Sequence, residues 1–176
     1  MASGNTFSRK ENRQIMDRLW APWRIDYIVN EKPSACIFCV PSDEAGDRER
    51  LILYRTGLSF VILNRYPYNN GHLMIAPFRH TADLDELADE EMLDLFTTLR
   101  LCKNVLQKSA SPQGFNIGVN LGKAAGAGVD EHMHIHIVPR WNGDTNFMSV
   151  IGDLRVMPEN LLGTYEKLFP GFHGEE

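Results

Sequence analysis

Three histidines alternate along the chain at His132, His134 and His136, with apolar Met133, Ile135 and Ile137 beside them. On an extended strand, side chains two residues apart share a face at a spacing of about 6–7 Å. The three imidazoles therefore line one face. Met133, Ile135 and Ile137 line the other, where they can pack on a helix. Each ring brings nitrogens that need partners, so three of them are poor core material. Such a row suits a metal ion or an anion, and the plain alternative is a chance surface row.

A loop of small residues, 121–130 (LGKAAGAGVD), sits directly before this strand. Gly122, Gly126 and Gly128, with Ala124, Ala125 and Ala127, let a ligand approach the backbone closely. Successive N–H groups in such a loop can hold phosphate oxygens. Many glycine-rich loops are only turns, and it is the neighbouring histidine face that favours a ligand here. Lys123 reads first as a solvated loop lysine and second as a phosphate ligand. Trp141 can stack on a base or close a dimer contact.

Cys36 and Cys39 have the spacing of half a zinc knuckle. Two more ligands are needed, and His80 and His132 are the candidates by type. A redox pair is the alternative, but no thioredoxin-like βαβ pattern surrounds it. The third cysteine, Cys102, falls on a helical apolar stripe and reads as a small buried hydrophobe.

The elements that must position these groups follow from periodicity. Residues 1–12 read as a flexible tail, and residues 13–176 as a single domain. In 13–30, Pro22 opens a short helix, and Trp20 and Trp23 read as packing residues. Residues 41–50 read as a solvated loop. Strands are expected at 51–55, 59–63, 72–77, 115–120 and 132–139. Turn formers at 64–71 (NRYPYNNG) break the second from the third. A long helix is expected over 83–109, where Met92, Leu93, Leu95, Phe96, Leu99, Cys102, Val105 and Leu106 recur near a 3.6 period. A terminal helix is expected at 161–168. The fold class is α+β: an antiparallel sheet of about five strands with a long helix packed on it, and helical extensions at both ends.

Bulk properties exclude several classes. The net charge of −5 over 176 residues argues against a broad nucleic-acid surface. No apolar run approaches the roughly 20 residues that span a bilayer. The polar first residues lack the apolar stretch expected of a signal peptide, and three cysteines argue against a disulfide framework. A cytoplasmic location is expected.

The run His132-Met133-His134-Ile135-His136-Ile137-Val138 resembles the His-x-His-x-His-x-x motif, with apolar x, of the histidine triad (HIT) superfamily. The segment 64–72 resembles that superfamily's nucleoside-binding stretch. The resemblance covers about residues 33–150. The segments Leu19-Trp20-Ala21-Pro22-Trp23-Arg24 and Pro139-Arg140-Trp141-Asn142-Gly143-Asp144 are similar to a bacterial branch that includes diadenosine tetraphosphate phosphorylases and hydrolases.

The resemblance implies a nucleotide hydrolase or nucleotidyltransferase. Its substrate would be a dinucleoside polyphosphate or a similar adenine nucleotide. His134 would attack the α-phosphorus, and water or phosphate would resolve the nucleotidyl-histidine. His136, Asn120 and the loop at Gly126, Ala127 and Gly128 would hold phosphate oxygens. Asn64 would bind the ribose hydroxyls, and His72 would support the triad. Structural zinc would sit on Cys36, Cys39, His80 and His132, with no organic cofactor and no demand for magnesium. A homodimer is implied. Residues 127–131 depart from many relatives in lacking a hydroxyl or Gln aimed at phosphate, which leaves that contact to backbone N–H groups and Lys123. Two competitors stand beside this reading: a catalytic metal on the three histidines, and a nucleotide-binding protein with little turnover.

Overall fold

The computed structural model describes residues 35–144 and 159–174. The expected tail at 1–12 and the aromatic segment at 13–30 lie outside the described residues. Five antiparallel strands form one sheet: β1 (Ile52–Arg55), β2 (Ser59–Leu63), β3 (Leu73–Pro77), β4 (Gly114–Val119) and β5 (Ile135–Arg140). Their order across the sheet is β1-β2-β3-β5-β4.

Helix α1 (Asp47–Arg50) is a single turn inside the stretch expected to be a solvated loop. It forms because Asp47 has a partner: both of its carboxylate oxygens accept from Arg55 at 2.7 Å. Helix α2 (Asp89–Ala110) lies on one face of the sheet. Its Leu95, Leu99, Cys102, Val105 and Leu106 meet Val61, Leu63, Leu73, Ile75, Ile135 and Ile137 in the main core. Cys102 is fully buried there, as its place on the apolar stripe predicts. Leu93 and Phe96 of the expected stripe are exposed instead.

The long helix starts six residues later than its apolar period suggests. Asp83 caps a separate single turn, Leu84–Glu86, by accepting from the Asp85 N–H at 3.2 Å. Leu87 is then extended, and α2 begins where Glu91 accepts from the Ala88 N–H at 2.9 Å. Two successive capping carboxylates thus split one apolar run into two pieces.

Strand β5 also starts late, at Ile135, so His132 and His134 precede the ladder. β3 ends at Pro77, which has no N–H to continue the pairing. Upstream, the Met133 N–H donates instead to the Thr81 carbonyl at 2.7 Å. The alternation survives this break: Met133, Ile135 and Ile137 are buried against α2.

Helix α3 (Leu161–His173) runs five residues beyond the expected end. Asn160 caps it, accepting from the Gly163 N–H at 2.8 Å. The Tyr165 hydroxyl donates to the Ile52 carbonyl at 3.0 Å, which ties α3 to β1. On the opposite sheet face from α2, Phe38 closes a second apolar cluster with Ile52, Phe60, Ile62, Met74 and Ala76.

Candidate active site

The site lies on the sheet face that α2 leaves open. Strand register places Ile62, Met74, His136 and Gly118 side by side across β2, β3, β5 and β4. This row passes from apolar groups to an imidazole to a bare glycine. A Cβ built on Gly118 would meet nothing within 4 Å, so there is open space beside His136. Above the row is a cleft of about 700 Å³. Ile37, Phe38 and Val129 contribute apolar lining, and Asn64, Asn120, Gly126, Gly128, His134 and His136 contribute polar or open lining.

The three histidines have three different surroundings. His134 Nδ1 lies 2.9 Å from the His132 carbonyl. A carbonyl only accepts, so Nδ1 carries the proton and Nε2 keeps its lone pair. The His134 ring rests 4.5 Å from the Phe38 ring and 4.7 Å, edge-on, from the His136 ring. Burial holds its pKa below the usual histidine value, so the ring is neutral near pH 7.

His136 is held through His72. The Tyr68 N–H donates to His72 Nδ1 at 3.1 Å, and the Asn64 side-chain amide lies 3.2 Å from the same nitrogen. His72 Nδ1 is therefore an acceptor, and neutral His72 carries its proton on Nε2. That proton is donated to His136 Nδ1 at 2.9 Å. His136 in turn carries its own proton on Nε2. Both rings are neutral near pH 7. Burial, then the neighbouring His136 and His134, lower the His72 pKa to about 3. Burial, then His134, lower that of His136 to about 4.

His132 turns away from the other two. Its Nε2–H donates to the Pro77 carbonyl at 2.9 Å, which leaves the Nδ1 lone pair facing Cys36 Sγ at 3.5 Å and Cys39 Sγ at 3.9 Å. His80 Nδ1 lies 3.2 Å from Cys39 Sγ. One ligand atom from each of Cys36, Cys39, His80 and His132 falls within 4.8 Å of the others. The edges of a tetrahedral two-sulfur, two-nitrogen zinc site are about 3.3–3.8 Å by bond-length arithmetic, so these four groups fit one small cation. The carbonyl bonded to the second nitrogen of His132 is the usual orienting partner of a metal-bound histidine. Among the described residues the three triad histidines do not form such a ligand group, since His132 turns to the cysteines while His134 and His136 line the cleft.

The remaining expected residues divide. Asn64, Asn120, Gly126 and Gly128 reach the cleft, whereas Ala127 is not part of its lining. Gly122 and Gly126 take left-handed φ values of 76° and 85°, which the open loop requires. Lys123 is solvated, with its side chain 84% exposed and 3.6 Å from Asp130. Trp141 lies outside the cleft lining: its indole N–H donates to the Ala110 carbonyl at the end of α2, at 3.1 Å. Phe38 and Tyr68 were not foreseen. Tyr68 stacks on His72 at 4.8 Å. The signal for Phe38 was its place between the two cysteines.

Comparison with known proteins agrees with this geometry. The HIT domain family matches residues 45–143. Over 160 residues the chain is 38% identical to the AP-4-A phosphorylase of Mycobacterium tuberculosis, covering 86% of this chain and 82% of that protein. It is 39% identical over 93 residues to an asymmetrical bis(5'-nucleosyl)-tetraphosphatase of Schizosaccharomyces pombe, covering 53% of this chain and 50% of that protein. A zinc-bound histidine triad family protein from Mycobacterium smegmatis superposes with a TM-score of 0.61 at 24% identity, covering 80% of this chain and 94% of that one. With the matched region spanning the sheet, α2 and all three histidines, the chain belongs to the HIT domain family.

Proposed function

We propose that the protein is a nucleotide hydrolase or nucleotidyltransferase that acts at the α-phosphate of a nucleoside polyphosphate through a covalent nucleotidyl-histidine on His134. The observation that carries this reading is the His134 tautomer: Nδ1–H is committed to the His132 carbonyl, so the Nε2 lone pair is available for attack. A neutral imidazole needs no separate base to act as a nucleophile near pH 7.

In the first step His134 Nε2 attacks the α-phosphorus, and the bond to the bridging oxygen breaks. The polyphosphate leaves with that electron pair. The imidazolium that forms keeps its Nδ1–H on the His132 carbonyl. The His136 Nε2–H, Asn120 and the backbone at Gly126 and Gly128 hold the phosphoryl oxygens. Asn64 takes the ribose hydroxyls, and the apolar lining at Ile62 and Met74 takes the base, adenine by likeness to the relatives. In the second step an acceptor oxygen attacks phosphorus and the N–P bond breaks. Water yields a nucleoside monophosphate, and inorganic phosphate yields a diphosphate. Likeness to the mycobacterial AP-4-A phosphorylase over most of its length favours phosphate as acceptor.

Cys36, Cys39, His80 and His132 would hold a structural zinc. When bound, it would tie the cysteine loop to the segment that carries His134. A homodimer fits the half-exposed Ile117 on edge strand β4 and the exposed Leu93 and Phe96 on α2. Among the described residues no helix is long and apolar enough to cross a membrane.

The test is product identity from a panel of dinucleoside polyphosphates, with and without inorganic phosphate. Diphosphate product that depends on added phosphate supports phosphorolysis. A His134→Ala variant that still turns over would end the covalent reading.

A further inference from the structure

His134 is held at one atom by the His132 carbonyl. A ring tethered at one atom can still tilt about that tether. A lone pair that must line up with a phosphorus–oxygen bond needs its plane fixed as well. The group that meets the face of the ring is Phe38, at 4.5 Å between centroids and 32° between planes. Phe38 is also 5.4 Å from the His132 ring.

Phe38 is itself rigidly placed. It is 1% exposed and packs on Ile52, Phe60, Ile62, Met74 and Ala76. Its backbone sits in a turn closed by Cys39 N–H to the Cys36 carbonyl at 3.1 Å and by Val40 N–H to the Phe38 carbonyl at 3.0 Å. It is among the residues that line the cleft. The same side chain therefore touches the apolar lining and the nucleophile.

We propose that Phe38 is a positioning residue for His134: its ring fixes the imidazole plane, so that Nε2 faces the reacting phosphorus. This rests on the reading of His134 as nucleophile. Apolar contacts at the base end of the cleft then act on the rate of the chemical step as well as on affinity, because a base seated there presses against a wall continuous with Phe38.

Two variants separate this from a passive wall. Phe38→Leu keeps most of the volume and loses the ring face, while Phe38→Tyr keeps the ring. In single-turnover experiments with a dinucleoside polyphosphate, Phe38→Leu is expected to form the nucleotidyl-enzyme about tenfold more slowly, well within the roughly 100-fold that a 1 Å misplacement can cost. KM should change by less than about threefold, and Phe38→Tyr should restore the rate. Metal content should match wild type in both. Raised KM with an unchanged single-turnover rate would overturn the proposal, as would a tyrosine variant as slow as the leucine one. Nitrogen-15 NMR of the ring gives a readout that needs no substrate: wild-type His134 should show one sharp Nδ1–H signal, broadened in Phe38→Leu. An unchanged signal would also overturn it. If the wild type forms no adduct with any substrate, the nucleophile reading fails, and the NMR comparison still decides the role of Phe38.

Discussion

His72 Nε2 lies 2.9 Å from His136 Nδ1, and this contact makes His136 a donor toward the cleft. The chain of donation runs from Tyr68 N–H to His72, from His72 to His136, and from His136 to the open space beside Gly118. Replacing His72 with Ala breaks the middle link. His136 can then present either nitrogen, and half of its orientations offer a lone pair where a phosphoryl oxygen needs a proton. Loss of one such donor costs on the order of 100-fold in kcat. His72→Ala should fall in that range at nearly unchanged nucleotide affinity. It also truncates a fully buried ring and leaves a cavity, so stability should drop by about 1–3 kcal/mol in urea unfolding. Wild-type kcat in His72→Ala would show that the relay has no catalytic role.

The same two rings make stability depend on pH. The His72 pKa is lowered to about 3 and that of His136 to about 4, from 6.5 in an unfolded chain. The unfolded state therefore binds protons first. The stability these groups contribute is fully present above pH 6.5 and is lost as pH falls toward 4, with His72 continuing to about 3. The slope is about 1.4 kcal/mol per pH unit per group. Urea unfolding at pH 7, 5.5 and 4.5 should show this decline, and His72→Gln should reduce the slope by about one group's share. Parallel slopes for wild type and variant would contradict the burial argument.

The alternation of Met133, Ile135 and Ile137 was readable because a period of two follows from strand geometry alone, and it holds through the break before Ile135. The four candidate ligands at Cys36, Cys39, His80 and His132 were readable by residue type, although they come together across 96 residues of chain. Other features depend on neighbours that no local pattern reveals. The late start of β5 is set by Pro77 on a different strand. The start of α2 is set by competition between Asp83 and Glu91 as capping acceptors. Trp141, read as either a base-stacking or a dimer-contact residue, lies outside the cleft lining and donates to the Ala110 carbonyl, because an aromatic beside a motif does not say which element it packs on. The Phe38 contact with His134 is a ring-on-ring geometry that spacing cannot express.

Metal content offers an independent check. One metal ion per chain is expected in protein purified without chelator, with zinc as its identity. Cys36→Ser should lose it, since one sulfur of a four-ligand set is removed. A ligand held at 100 times its Kd stabilises by about 2.7 kcal/mol, so the melting temperature should fall by roughly 5–10 °C. Metal analysis and calorimetry read both effects. Full metal occupancy in Cys36→Ser would show that the cluster is not the binding site.

Gly71 links the fold to the site by a different route. Its φ is +73°, a left-handed value that side chains disfavour, and it immediately precedes His72. A Cβ there would lie 3.1 Å from Leu106 Cδ2 and 3.4 Å from Pro139 Cγ, so α2 and β5 both resist it. Gly71→Ala should cost about 1–3 kcal/mol from backbone strain and crowding together. Gly57→Ala is the control: its Cβ would meet nothing within 4 Å, and its effect should stay within about 0.5 kcal/mol. Any backbone shift at Gly71 is passed to His72 and on to the 2.9 Å contact with His136. Gly71→Ala should therefore lower kcat as well as stability, measured well below its melting temperature so that the population of folded enzyme is the same. Loss of stability with wild-type kcat would mean that the sheet absorbs the strain before it reaches His72.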